Sequence, residues 1–222
     1  MFGIPGEGME YRISFRGMTM ATVQVAMGRI HWLDDMIGLP MVDAATRLRM
    51  PHHRALAIHS RGHTVGLLTL LGDIDWKLET TLDLDAGRGV TSAEEATVVL
   101  AGVRDHGKKN RHWGAGDIFD DLHSAAAKLR AWNPKPGERL RLEVHIDEAQ
   151  LRVEAWLAGR EVISAPRPMP AIRYEGIADD KARFAVWISD DAARVPLRLR
   201  AESKWGAIGC DLVEYEPPVE AR

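Results

Sequence analysis

Beyond Asn133-Pro134 the chain almost never leaves a period of two. Segments 139–147, 151–157, 161–164, 172–175, 183–189, 196–202 and 207–215 read as strands, separated by short turns such as Ala158-Gly159-Arg160. Successive strand side chains point to opposite faces, so a segment of this kind is stable only within a sheet that buries one of them. Many such segments with few helices favour an antiparallel sheet curled into a partly open half-barrel, a mainly β (β-rich α+β) fold. At 222 residues the chain suits one large β domain, for which about 200 to 250 residues is ordinary. The expectation is a single domain over 1–222 with its core at about 5–216.

The first half is more mixed. Tyr11-Arg12-Ile13-Ser14-Phe15-Arg16, then Thr22-Val23-Gln24-Val25-Ala26-Met27, alternates around Gly17 as a hairpin or bent strand. Segments 54–60, 76–84 and 96–103 read as further strands, and 42–49 and 64–74 as short helices. The charged, glycine-rich stretch 104–116 reads as a loop ending at Asp117, an N-cap for a main helix over about 117–132. In that helix Ile118, Leu122, Ala125, Leu129 and Trp132 form one apolar stripe, which predicts that Leu122 is buried against the sheet.

Composition narrows the function classes. A formal charge of -3 supplies no long-range attraction for nucleic acid. No apolar run approaches the roughly 18 to 20 residues of a membrane-spanning helix. The one cysteine, Cys210, permits neither an intramolecular disulfide nor a thiolate metal cluster. The opening Met1-Phe2-Gly3-Ile4-Pro5-Gly6-Glu7 lacks the apolar core of a signal peptide.

Side chains with chemical potential are scattered. His52, His53, His59, His63, Asp120, Asp121 and His123 are metal-ligand types, but adjacent strand histidines point apart and no His-Glu-x-x-His helix occurs. Asp83-Leu84-Asp85-Ala86-Gly87 lacks the later ligands of a calcium loop and reads as a turn. Gly114-Ala115-Gly116 precedes Asp117, whose charge disfavours a phosphate at a helix start. Ser124 and its neighbour His123 point about 100 degrees apart on a helix, so they do not form a nucleophile–base pair. No catalytic residue, metal site or cofactor is assigned. The candidate ligand or partner contacts are Lys108, Arg111 and Trp113 in the basic cluster, with Trp76 and Trp156 among the strand aromatics.

Four separated stretches share a pattern. They are Pro5-Gly6-Glu7 followed by Tyr11; Asp121-Leu122-His123-Ser124 leading to Leu129-Arg130 and then Pro136-Gly137; Val186-Trp187-Ile188-Ser189-Asp190-Asp191 followed by Arg194-Val195-Pro196; and Gly206-Ala207-Ile208 with Asp211-Leu212. On these the chain resembles the domain of unknown function 3108 family of exported bacterial proteins. The resemblance implies a β-rich half-barrel, a periplasmic or otherwise exported location, a sequence trimmed of its leader, and no generally assigned activity. It marks Gly6, Glu7, Tyr11, Asp121, Ser124, Arg130, Trp187, Asp191 and Pro196 as structural positions, with Asp121 and Arg130 anchoring the helix to the sheet. Where the family carries aromatics ahead of Leu-Arg, this chain has Ala126, Ala127 and Lys128, which removes an aromatic-lined groove there. Trp187 is expected to be mostly buried, on the helix or in the barrel interior.

Three functions are compatible with these features: a non-enzymatic envelope scaffold holding an apolar ligand, a glycan or a partner protein; a metal-assisted hydrolase using His and Asp; and a structural subunit docking through an exposed edge strand.

Overall fold

A computed structural model describes residues 3–32, 53–66, 69, 72–100, 103–112, 119–146, 149–164, 167–179, 181–203 and 206–218. The N-terminal arm holds β1 (Gly8–Phe15), β2 (Met18–Trp32), β3 (Arg54–Thr64), β4 (Gly72–Asp83), β5 (Arg88–Leu100) and β6 (Val103–His112). A two-residue β7 (Phe119–Asp120) leads into helix α1 (Leu122–Ala131). The C-terminal arm holds β8 (Arg139–Ile146), β9 (Ala149–Ile163), β10 (Met169–Ala178), β11 (Ala182–Ser189), β12 (Pro196–Ser203) and β13 (Gly206–Glu216).

All strands form one sheet in the order β6-β5-β4-β3-β2-β1-β13-β12-β11-β10-β9-β8-β7. Every pairing is antiparallel except that of β7 with β8. The first and last strands meet in the middle, Tyr11 opposite Leu212 and Phe15 opposite Ile208. The sheet is curled but not closed into a barrel, and α1 lies within the curl against β4, β7 and β8.

Because the chain zigzags without a crossover inside either arm, its turns fall into two rims. The strand ends Phe15 and Met18, Thr64 and Gly72, Leu100 and Val103, Ile146 and Ala149, Ala178 and Ala182, and Ser203 and Gly206 share the upper rim, and the N-terminal segment, the C-terminal end of α1 and turn 190–195 gather at the lower one. At the lower rim Arg194 donates to the Arg130 and Trp132 carbonyls (2.6 and 2.7 Å) and to the Tyr174 hydroxyl (2.7 Å). These bonds satisfy carbonyls that a helix end leaves without intrahelical partners.

Several sequence expectations are corrected. The helix begins at Leu122, because Asp121 accepts from Ser124 N (2.8 Å) while Ser124 Oγ accepts from Asp121 N (2.9 Å), a reciprocal cap. Asp117 and Ile118 lie outside the described residues. Thr64 ends β3 and 72–74 begin β4, so no helix runs through the whole of 64–74; Gly66 and Thr69 are in 3₁₀ conformation, and 67–68, 70–71 and 42–49 lie outside the described residues. Residues 103–112 form a strand rather than a loop. They are an edge whose opposite charges face across the ladder, Glu95 opposite Lys108 and Glu94 opposite Lys109. The supposed turn at 158–160 is a bulge within one long β9, where Arg173 pairs with Gly159 and Tyr174 with Leu157.

Candidate functional site

Helix α1 is inverted relative to the usual amphipathic rule. Its buried residues are His123, Ser124, Ala127 and Arg130, whereas Leu122, expected in the core, is 47% exposed. The polar face is buried because each of its groups finds a partner. Arg130 donates through both terminal nitrogens to the carboxylate of Glu7 and, through Nε and Nη2, to the Ala193 carbonyl (3.1 and 2.5 Å). The two charges are 2% and 1% exposed. Glu7 also accepts from Ile4 N (3.1 Å) and from the Tyr215 hydroxyl (3.2 Å), so its oxygens are fully used. Beside this pair the buried Tyr11 phenol, pushed above its ordinary pKa by burial, donates to the Pro196 carbonyl (2.9 Å).

At the helix start Thr80 Oγ1 bonds to Asp121 Oδ2 and lies 2.8 Å from His123 Nδ1, while His123 Nε2 lies 2.8 Å from Ser60 Oγ. An ionised Asp121 only accepts, so it takes the single Thr80 proton. His123 Nδ1–H then donates to Thr80, and the bare Nε2 accepts from Ser60. Burial favours this neutral imidazole, holding the pKa of His123 down to about 4. The arrangement has the proton order of a serine–histidine pair. Ser60, however, is 6% exposed and is not among the residues lining the groove described below, so the bonds tie the helix to β3 and β4.

With its polar face spent on anchoring, α1 turns Leu122, Ala125, Ala126 and Leu129 towards a groove of about 440 Å³ between helix and sheet. Leu140, Leu142, Val144 and Ile146 of β8 form one wall. Val153 and Ala155 of β9, Phe184, Val186 and Ile188 of β11, and Met9, Val25 and Met27 contribute further apolar lining, and His123, Arg130, Arg183 and Arg198 its polar edge. Cys210 also borders it, its thiol pushed up to about 12 by burial. Volume and lining fall within the usual range for a small-molecule site, about 300 to 1,000 Å³ and mostly apolar.

The outer face differs. Trp187, expected on the helix side, lies opposite it, because Phe184, Val186 and Ile188 take the inner positions of β11. It is half-buried, with the guanidinium carbons of Arg173 and Arg198 at 5.4 and 5.9 Å from its ring centroid and its Nε1 donating to Glu161. Arg139 covers Trp156 at 5.2 Å. These arginines are themselves paired, Arg173 with Glu175, Arg198 with Asp211 and Arg139 with Glu154. Guanidinium groups therefore cover part of the indole surface on which a sugar would stack, and Trp156 and Trp187 also line an outer depression of about 570 Å³ with Arg173, Glu175 and Arg200. Trp76 fills the space over Gly62, where an added Cβ would stand 2.3 Å from its Nε1. Lys108 and Arg111 lie on edge strand β6, and Trp113 lies outside the described residues.

The remaining family-like positions close the lower rim. Gly6 turns the chain at φ +82°, and Asp191 accepts from Ser189 Oγ (2.8 Å) and from the amides of Ala193 and Arg194 (3.0 Å each). The histidines do not converge: His53 pairs with Asp83 (2.7 Å), His59 lies 3.4 Å from Glu79, and His63 bonds to Thr22 (3.0 Å). Among the described residues no group of three or more His, Cys, Asp or Glu is placed to hold a metal ion. His52 lies outside them.

A long antiparallel sheet curled round one helix, with an apolar interior and an unclosed seam, defines a β-barrel-like protein. By sequence the chain belongs to the family described as "Protein of unknown function (DUF3108)", whose model matches residues 10–213. Among solved structures it is similar to a β-barrel-like protein of domain of unknown function DUF1849 from Brucella abortus. The match has 6% identity and a TM-score of 0.51 and covers 96% of this chain and 98% of that one. A second match is a "putative lipoprotein" from Parabacteroides distasonis, at 8% identity, TM-score 0.38, and 97% and 98% coverage. No curated protein matches. Among the described residues no helix is long and apolar enough to cross a membrane.

Proposed function

We propose that the protein is a non-enzymatic scaffold of the bacterial envelope that holds an apolar, chain-like ligand such as a lipid acyl group between α1 and the sheet. The observation that carries this is the inverted helix. Its polar face is consumed by Glu7, Thr80 and Ser60, which leaves Leu122 half-exposed over a groove lined by aliphatic residues of both arms. An apolar surface held open by buried polar bonds is unfavourable in water unless a ligand covers it. The envelope location rests on the family resemblance. A glycan is less suited to this groove, since few polar groups line it.

Titration with dansyl-undecanoic acid tests the reading. The protein should enhance and saturate the probe's fluorescence, and Leu142→Glu, which places a charge on the groove wall, should weaken binding at least tenfold. A wild-type protein that leaves the probe unchanged at high micromolar concentration overturns the proposal.

A further inference from the structure

The outer face of the C-terminal arm carries a depression of its own, and the strand register explains it. On that face Ala185 of β11 stands opposite Glu175 of β10 and Arg200 of β12, and Glu175 stands opposite Trp156 of β9. Same-face positions recur every second residue along a strand. Two residues along in one direction β11 presents Trp187, between Arg173 and Arg198, and in the other Arg183, between Ile177 and Glu202. A small side chain is therefore ringed by large ones. The ring encloses about 570 Å³, a volume that suits a small-molecule site.

The charged groups of the lining divide in two. Arg173 pairs with Glu175 and Arg200 with Asp211, so these four hold one another in place. Arg183 and Glu202 are partners in the β11–β12 ladder, yet among the described residues neither side chain makes a hydrogen bond or an ion pair. Three arginines against two glutamates leave the lining with one positive charge in excess.

We infer that this depression binds a short saccharide bearing a carboxylate, with Arg183 as its anchor. A guanidinium takes a carboxylate in two parallel hydrogen bonds, and Arg183 has no competing partner to give up. Ionised Glu175 and Glu202 only accept, so the ligand must bring donors, which sugar hydroxyls supply and a simple aromatic or aliphatic acid does not. A phosphate group would bring more negative charge than one surplus arginine answers. The half-buried indoles of Trp156 and Trp187, on two sides of Ala185, offer apolar contact to the C–H groups of a sugar ring. The site lies across the sheet from the groove under α1 and does not depend on the acyl-group reading of that groove.

Isothermal titration calorimetry with trigalacturonic acid, and with maltotriose as a neutral trisaccharide, tests this on the full chain. Trigalacturonic acid should bind at least tenfold more tightly than maltotriose and lose affinity as salt rises. Arg183→Gln should weaken it at least tenfold. Ala185→Phe, which fills the floor, should do the same while binding dansyl-undecanoic acid as wild type does, and cooperative urea unfolding checks that each variant is folded. Wild type giving no heat with trigalacturonic acid at millimolar concentration, equal affinity for the two sugars, or a folded Arg183→Gln variant that binds like wild type would overturn the proposal. A protein that binds trigalacturonic acid but ignores dansyl-undecanoic acid loses the groove reading and keeps this one, and the reverse result removes this one alone.

Discussion

Glu7 and Arg130, 123 positions apart, form a two-pronged ion pair from which water is almost excluded. It joins the segment before β1 to the last turn of α1, and so fixes the helix within the curl. Removing one partner of a buried pair leaves an uncompensated charge, typically a loss of about 3 to 5 kcal/mol. Urea unfolding of Glu7→Gln and of Arg130→Met should each show a loss of that order. The double variant Glu7→Leu/Arg130→Met should recover part of it. Single variants within about 0.5 kcal/mol of wild type would mean that the pair does not hold the helix.

Leu122 and Leu56 should respond differently to truncation. Leu56 is fully buried in the cluster that receives Ala127, so Leu56→Ala should cost about 2 to 5 kcal/mol. Leu122→Ala, on a side chain that faces the groove, should cost less than about 1 kcal/mol and instead weaken binding of the dansyl fatty acid. Equal stability losses would return Leu122 to the core.

His123 sets a pH dependence. Its folded pKa lies near 4, below the unfolded value of about 6.5. The unfolded chain therefore binds the extra proton between those values, and stability rises with pH across this window. The stabilisation is fully present above about pH 6.5 and is lost as pH falls towards 4, with a slope approaching 1.4 kcal/mol per pH unit at most. Replacing His123 by Gln should flatten unfolding free energy measured from pH 7 to pH 4.5. An unchanged slope would assign the dependence to other groups.

Gly176 leaves no room for a side chain. A Cβ there would stand 2.2 Å from Phe184 Cζ and 2.6 Å from the Glu154 carbonyl oxygen, and backbone cannot swing aside as a side-chain tip can. Gly176→Ala should cost about 1 to 3 kcal/mol in chemical denaturation. A neutral result would show that β9 and β10 shift apart easily.

The sheet is legible wherever one face is buried and the other wet, as in Arg139-Leu140-Arg141-Leu142-Glu143-Val144, because alternation then writes the environment into the sequence. Strand β6 is not. Exposed on both faces from Val103 to Asn110, it carries charged or polar side chains at six of these eight positions, with no apolar alternation, and therefore reads as a loop. The helix is legible in the sequence, but its orientation is not. An apolar stripe is normally buried, and the partners that bury the opposite face, Glu7, Ser60 and Thr80, are remote in sequence. Arg130 and Glu7 stood out only through the family resemblance, since charged residues taken singly read as surface. The groove follows from that inverted orientation, and Leu122 within the stripe is its local sign.

The ladder between β1 and β13 has a consequence for synthesis. Strands β2 to β6 can zip onto β1 as they emerge, since each needs only the strand before it. The other edge of β1 must wait for Ile208–Glu216 to leave the ribosome, nearly the whole chain later. Until then a nascent chain displays a strand with half its amides and carbonyls unmatched, next to Met9 and Tyr11 that have no core to enter. The interval is long because the missing partner is translated last, and the fold's most vulnerable surface is one that the finished molecule keeps at the centre of its sheet.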